Sequence, residues 1–169
     1  MDYEGHHVTP ALHGVKGRAL LAYLVINRGR GFSREEMIQA IWAEDRTSDP
    51  GQSLRKLLSS LRAALGVDVL AGRHTIELRL PSDTWIDLEA AQRAIQVADA
   101  ALATGGWRDA WTQAHITLNI AGRPFLAGFD APWVDEVRRD LNELELRALE
   151  VITRAGIGLG GSELAGGER

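Results

Sequence analysis

GQSLRKLLSSLRAALG, residues 51–66, carries leucine at 54, 57, 58, 61 and 65, one apolar stripe at the spacing of a helix laid on a core. At 100° per residue, Gln52, Arg55, Lys56 and Ser59 point away from the leucines, with Arg62 to one side. That outward face holds cations and hydrogen-bonding groups but no acid, a composition suited to a polyanion. Read alone, the stretch is also explained as a solvated amphipathic helix, and the flanking sequence has to separate the two readings.

Upstream, Lys16 opens KGRALLAYLVINRGR, whose Ala19, Leu20, Tyr23, Leu24 and Ile26 give a first helical face that stops before Gly29 and Gly31. Lys16 and Arg18 sit at its start, where the helix dipole disfavours cations, so an external anion is one partner for them. Ser33-Arg34-Glu35-Glu36 is a capping box, followed by Met37, Ile38, Ile41 and Trp42 at helical spacing. Capping and the dipole account for the two glutamates without acid-base catalysis. AEDRTSDPGQ then leads through the turn Asp49-Pro50-Gly51 into the cationic helix.

Downstream, Val67 to Leu70 and Thr75 to Leu80 read as two short strands around Ala71-Gly72-Arg73-His74, with Ile76, Leu78 and Leu80 alternating against Glu77 and Arg79. Three helices and a hairpin with a basic tip is the order of a winged helix-turn-helix. Its third helix lies in the major groove, and its hairpin wing reaches backbone phosphate or the minor groove.

Residues 18–42, RALLAYLVINRGRGFSREEMIQAIW, and 53–66, SLRKLLSSLRAALG, together resemble the OmpR/PhoB-type winged helix, in particular that of the Streptomyces antibiotic regulatory proteins, with their RALLAxLxxxxGxxxSRxxLixxxW run and ALxxxxSxLRxALG helix. The chain departs from that pattern at the wing, where Thr75-Ile76 stands in place of Gly-Tyr, and at the front, where few residues precede the first helix. The sequence predicts an irregular or marginally extended lead-in over residues 1–15.

Past the polar joint 81–84 the reading is helical throughout. One helix begins from Trp85 with Asp87 as N-cap and ends at Gly105-Gly106. A second runs roughly 107–120 with Trp107, Trp111, Ala114 and Leu118 as its apolar line, and a long third has Trp133, Val137, Leu141, Leu144, Ala148 and Val151 on its core face. Helical hairpins in series point to a repeat-like α domain. GRPFLAGFDAPWVDEVRRDLNELELRALE, residues 122–150, is similar to the start of the bacterial transcriptional activation domain of the same regulators, a tetratricopeptide-like array that continues further in the family and is truncated here. GIGLGG, from Gly156, follows a helix rather than a strand, so it is no dinucleotide fingerprint and reads as part of a flexible end.

The expected organisation is therefore mostly α: a winged-helix domain over 1–81, a helical activation-like domain over 82–156 and a flexible tail over 157–169. Net charge is −4, but residues 1–80 hold 11 Lys+Arg against 9 Asp+Glu and residues 81–169 hold 8 against 14, so the two parts differ in sign. The chain has no cysteine, which excludes disulfides, thiolate zinc sites and cysteine nucleophiles. No apolar run is long enough to span a bilayer, and MDYEGHH at the front is polar and acidic rather than a basic leader followed by an apolar stretch, so the protein is expected in the cytoplasm without a membrane partner. His6, His7 and His13 lack further ligands at metal-binding spacing. No metal, cofactor or catalytic constellation is expected, and the protein is not read as an enzyme.

Helix-face geometry and the resemblance together imply a transcriptional regulator whose partner is double-stranded DNA. Gln52, Arg55, Ser59 and Arg62 are expected to read bases, and Lys16, Arg18, Arg46, Lys56, Arg73 and His74 to hold the backbone. The resemblance further implies a homodimer on DNA and a helical half that docks RNA polymerase or another regulatory protein. The competing class is an interaction or ligand-sensing module that keeps the winged helix only as a scaffold.

Overall fold

The computed structural model describes residues 2–3, 6–7, 14–43 and 49–166. The chain forms two compact units, Met1–Trp85 with Leu126–Asp135, and Ile86–Phe125 with Glu136–Arg169. The expected boundary at residue 81 lies close to the first junction, whereas the segment Leu126–Asp135, expected within the helical half, returns to the first unit.

In the first unit a short antiparallel pair, β1 (Asp2–Tyr3) and β2 (His6–His7), lies in the lead-in expected to be irregular or marginally extended. Helix α1 (Val15–Ile26) buries Ala19, Leu20, Leu21, Leu24 and Val25, and ends at Asn27, whose side-chain amide donates to the Tyr23 carbonyl at 2.9 Å. Gly29, at φ 92°, then turns the chain into β3 (Gly31–Phe32), a strand that sequence periodicity does not announce because it is two residues long.

Ser33 caps α2 (Arg34–Trp42) as expected, its hydroxyl accepting from the Glu36 backbone N–H at 3.1 Å. Asp49 caps α3 (Pro50–Leu65) by accepting from the Gln52 N–H at 2.8 Å, with Pro50 in the first turn, where a missing N–H costs nothing. Leu54, Leu58, Leu61 and Leu65 are buried and Leu57 is half-buried, so the leucine stripe is the core face.

Strands β4 (Leu70–Ala71) and β5 (Ile76–Leu78) complete a three-stranded antiparallel sheet in the order β3-β5-β4, with Phe32 opposite Ile76 and Leu70 opposite Leu78. Val67, expected in the first wing strand, lies in a turn and is 69% exposed. The chain needs those residues to reverse after Gly66, which ends α3 at φ 96°. Phe32, Leu70 and Ile76 are fully buried.

The second unit packs α4 (Asp87–Ala103) against α5 (Trp107–Ala121) and the body of α6 (Pro132–Gly166). Asp87 stands in the first turn rather than at the cap, which is Ile86; its carboxylate accepts from the Leu88 N–H at 2.9 Å and faces the positive end of the helix. The core joins Ile95, Ala98 and Leu102 to Ala110 and Ala114, and to Ala148, Val151 and Ala155, small residues that allow close helix approach. Trp111, expected in that core, is 42% exposed and meets the His115 ring at a tilt of 55° and a centroid distance of 4.0 Å; Ala110 takes its place on the buried line. Thr117 is fully buried and donates to the Ala91 carbonyl at 3.1 Å. Arg147 on α6 pairs with Asp99 on α4 at 2.7 Å.

Helix α6 runs on to Gly166, through residues expected to form a flexible end. One of its glycines serves packing: a Cβ at Gly158 would lie 2.4 Å from the Trp107 ring, so the indole of α5 rests directly on the α6 backbone.

Candidate nucleic-acid interface

Burying the leucines of α3 leaves the opposite face outside, and Gln52, Arg55, Lys56 and Ser59 are all exposed there. Neither Arg55 nor Lys56 is paired with a carboxylate among the described residues. Two cations on an acid-free helix face suit a phosphate-lined groove.

Arg62, half-buried in the last turn of α3, does something else. Its Nε donates to the Leu70 carbonyl at 3.1 Å and its Nη2 to the Gly72 carbonyl at 2.8 Å, so the guanidinium ties α3 to the wing instead of extending the outward face. Arg73 and His74 are exposed at the wing tip, and the Arg73 carbonyl accepts from Nε and Nη2 of Arg34 at 3.3 and 3.1 Å. Arg34 escaped sequence reading because its acceptor is a backbone carbonyl 39 residues away, and a carbonyl has no residue type to notice.

Beside Arg34, Glu36 accepts from Arg30 and, at 2.9 Å, from the Tyr23 hydroxyl. The Arg30 hydrogen bonds hold the Glu36 carboxyl below its ordinary value, with Tyr23 and the Ser33 backbone N–H acting in the same direction. Burial, then the Glu36 hydrogen bond, pushes the Tyr23 phenol up, and Glu36 raises Arg30. The cluster pins the start of α2 to α1 and β3, and Arg30 also lies over the Phe32 ring at 4.4 Å.

Lys16 lies over the Trp42 ring at 5.4 Å, at the end of α2 opposite Arg34, about 12 Å along the helix axis. Arg18 is half-buried on α1, and Arg46 lies outside the described residues, as do the side chains of His6 and His7 and the whole of His13. Among the described residues no group of three or more His, Asp or Glu side chains could hold a metal ion. No helix among them is long and apolar enough to cross a membrane.

Residues 11–78 match the family described as Transcriptional regulatory protein, C terminal. Two curated relatives, each named Regulatory protein AfsR, are 32% identical over 133 residues in Streptomyces griseus and 31% over 134 residues in Streptomyces coelicolor. Each alignment takes in 79% of this chain, and the chain spans only 14% of either relative. Among solved structures, the chain is similar to Mycobacterium tuberculosis EmbR in complex with low affinity phosphopeptide, with a TM-score of 0.52 and 27% identity over 86% of this chain and 38% of that one.

Proposed function

We propose, for a chain whose residues 11–78 match the family described as Transcriptional regulatory protein, C terminal, that it serves as the double-stranded DNA-binding part of a transcriptional regulator. The observation that carries the reading is the exposed face of α3, with Arg55 and Lys56 free of acidic partners among the described residues, set in a winged helix beside a basic wing tip. α3 enters the major groove, and the wing rests on the backbone or in the minor groove.

Gln52, Arg55 and Ser59 are the base-reading set, since their side chains leave the outer face with donors, and in Ser59 and Gln52 also acceptors, available to base edges. Lys56, Arg73, His74 and Arg18 serve the backbone. Arg62 is reassigned to wing support, and the Trp42 ring already engages Lys16. The protein acts by binding rather than catalysis, in the cytoplasm where its DNA lies.

The helical unit supplies protein contacts, either with a second copy on tandem DNA sites or with RNA polymerase. Leu146, 67% exposed, and Leu149, 44% exposed, lie on one side of α6 and give it apolar surface of the kind such contacts use. Sedimentation with and without duplex separates monomer from dimer.

Selection of bound duplexes from a random pool, followed by a salt titration of the winner, tests the central reading. Log affinity is expected to fall against log salt with a slope of about −0.9 per phosphate neutralised. Failure of any duplex to bind at low salt would leave the winged helix as a scaffold only.

A further inference from the structure

We propose that Arg34 and Arg62 are positioning residues that fix the wing against the recognition helix, so that the two DNA contacts are set at one spacing before DNA arrives. The proposal rests on the DNA-binding reading above.

In the sheet order β3-β5-β4, β4 is an edge strand. Successive carbonyls of a strand point to opposite sides. The Val69 carbonyl turns inward and accepts from the Arg79 N–H at 2.7 Å, so that of Leu70 turns outward, where no further strand meets it among the described residues, and the Gly72 carbonyl just past β4 is presented to the same guanidinium. Arg62 takes both. Arg34 takes the next one, Arg73, with two N–H groups on a single oxygen. Three carbonyls within four residues of the wing are thus held by guanidinium groups from two different helices.

The turn they hold has little freedom of its own. Gly72 sits at φ 89°, and a Cβ there would come within 1.9 Å of the Thr75 carbonyl oxygen. A Cβ at Gly31 would lie 2.3 Å from the Thr75 methyl, so β3 closes the tip from the other side. Hydrogen bonds from a charged donor are stronger than neutral ones, and an arginine bonded to a carbonyl keeps its charge. Arg62 lies two turns along α3 from Arg55, so the helix that carries the base-reading set also carries one of the two wing supports.

A wing free to swing would lose part of its phosphate contact to the entropy of being held, and the clamp removes that loss in advance. The test uses the full chain and a duplex selected with the wild-type protein, read by affinity and by hydroxyl-radical footprint. Arg34→Ala, Arg62→Ala, a wing variant with Arg73→Ala and His74→Ala together, and each combination with the wing variant complete two cycles. Each arginine variant is expected to lose about tenfold in affinity, the scale of one charge-assisted hydrogen bond, with wing-side protection lost and protection by α3 retained. Combined with the wing variant, each is expected to add nothing further. Circular dichroism reports folding, and Arg34→Gln and Arg62→Gln replace an alanine variant that does not fold.

Losses that multiply in either cycle overturn the clamp, since the arginine would then act on DNA directly. An unchanged footprint, or a wing variant that binds like wild type, overturns it as well. If the wild-type protein selects no duplex, the regulator reading itself has failed and the clamp falls with it.

Discussion

The indole N–H of Trp133 donates to the backbone carbonyl of Ala40, 93 residues earlier, at 3.0 Å. Ala40 lies in the last turn of α2, where carbonyls run short of intrahelical partners. The same indole meets the Tyr23 ring edge-on at a centroid distance of 5.3 Å. The Ala-Pro-Trp sequence that starts α6 thus finishes the packing of the winged-helix unit. Trp133→Phe keeps the ring contact and removes the donor, and it should cost about 1 kcal/mol in urea unfolding of that unit. Trp133→Ala should cost about 3 kcal/mol or more.

Arg55→Ala should weaken binding to the selected duplex by about 1 to 3 kcal/mol if Arg55 reads a guanine, and relax preference at that base pair. Lys56→Ala should weaken all duplexes alike and make the salt slope shallower by about 0.9. Equal losses for both variants on every sequence would contradict this division of roles.

Asp49→Ala removes the hydroxyl-free cap at the start of α3, leaving the Gln52 N–H without its carboxylate acceptor. A loss of about 1 kcal/mol in stability is expected, measured by chemical denaturation, while Asp49→Asn should recover most of it.

Glu36 predicts a pH dependence. Its carboxyl is held below the ordinary value in the folded state, so the stability it contributes is present above the unfolded value, about 4.3, and is lost as pH falls through the lower folded value. Glu36→Gln should therefore lower the melting temperature at pH 7 and flatten its decline between that unfolded value and the folded one. A decline as steep as in wild type would mean that other carboxylates govern the acid limb.

Gly158→Ala places a Cβ 2.4 Å from the Trp107 ring. Since α6 and α5 meet there through the backbone of one and the ring of the other, overpacking should cost about 1 to 3 kcal/mol, despite alanine's better helix propensity. The change in Trp107 environment should register in tryptophan fluorescence during thermal unfolding. Gly156→Ala, with nothing within 4 Å of its Cβ, is the control and should stabilise.

Much of the helical fold was legible because its signals are local. Ser33 and Asp49-Pro50 mark helix starts through hydrogen bonds spanning three residues, and the leucines of α3 mark the buried face by period alone. β3 was not legible, because two residues carry no period and Gly31 is there to make room for Thr75. Trp111 misled for a related reason: large apolar residues draw the eye, whereas the α4–α5 packing uses Ala110 and Ala114. The tail of α6 misled because glycine reads as a helix breaker until a Trp107 ring is found lying on it.

By itself the sequence determined the three helices of the winged unit, the outward direction of Gln52, Arg55, Lys56 and Ser59, and the hairpin after them, since helical period and caps are properties of contiguous residues. The tertiary structure alone decided what Arg62, Arg34 and Trp133 do. Each donates to a backbone carbonyl supplied by another element, at Leu70 and Gly72, Arg73 and Ala40. Every residue offers such a carbonyl, so no pattern of residue types marks the partner, and only folding brings donor and acceptor together.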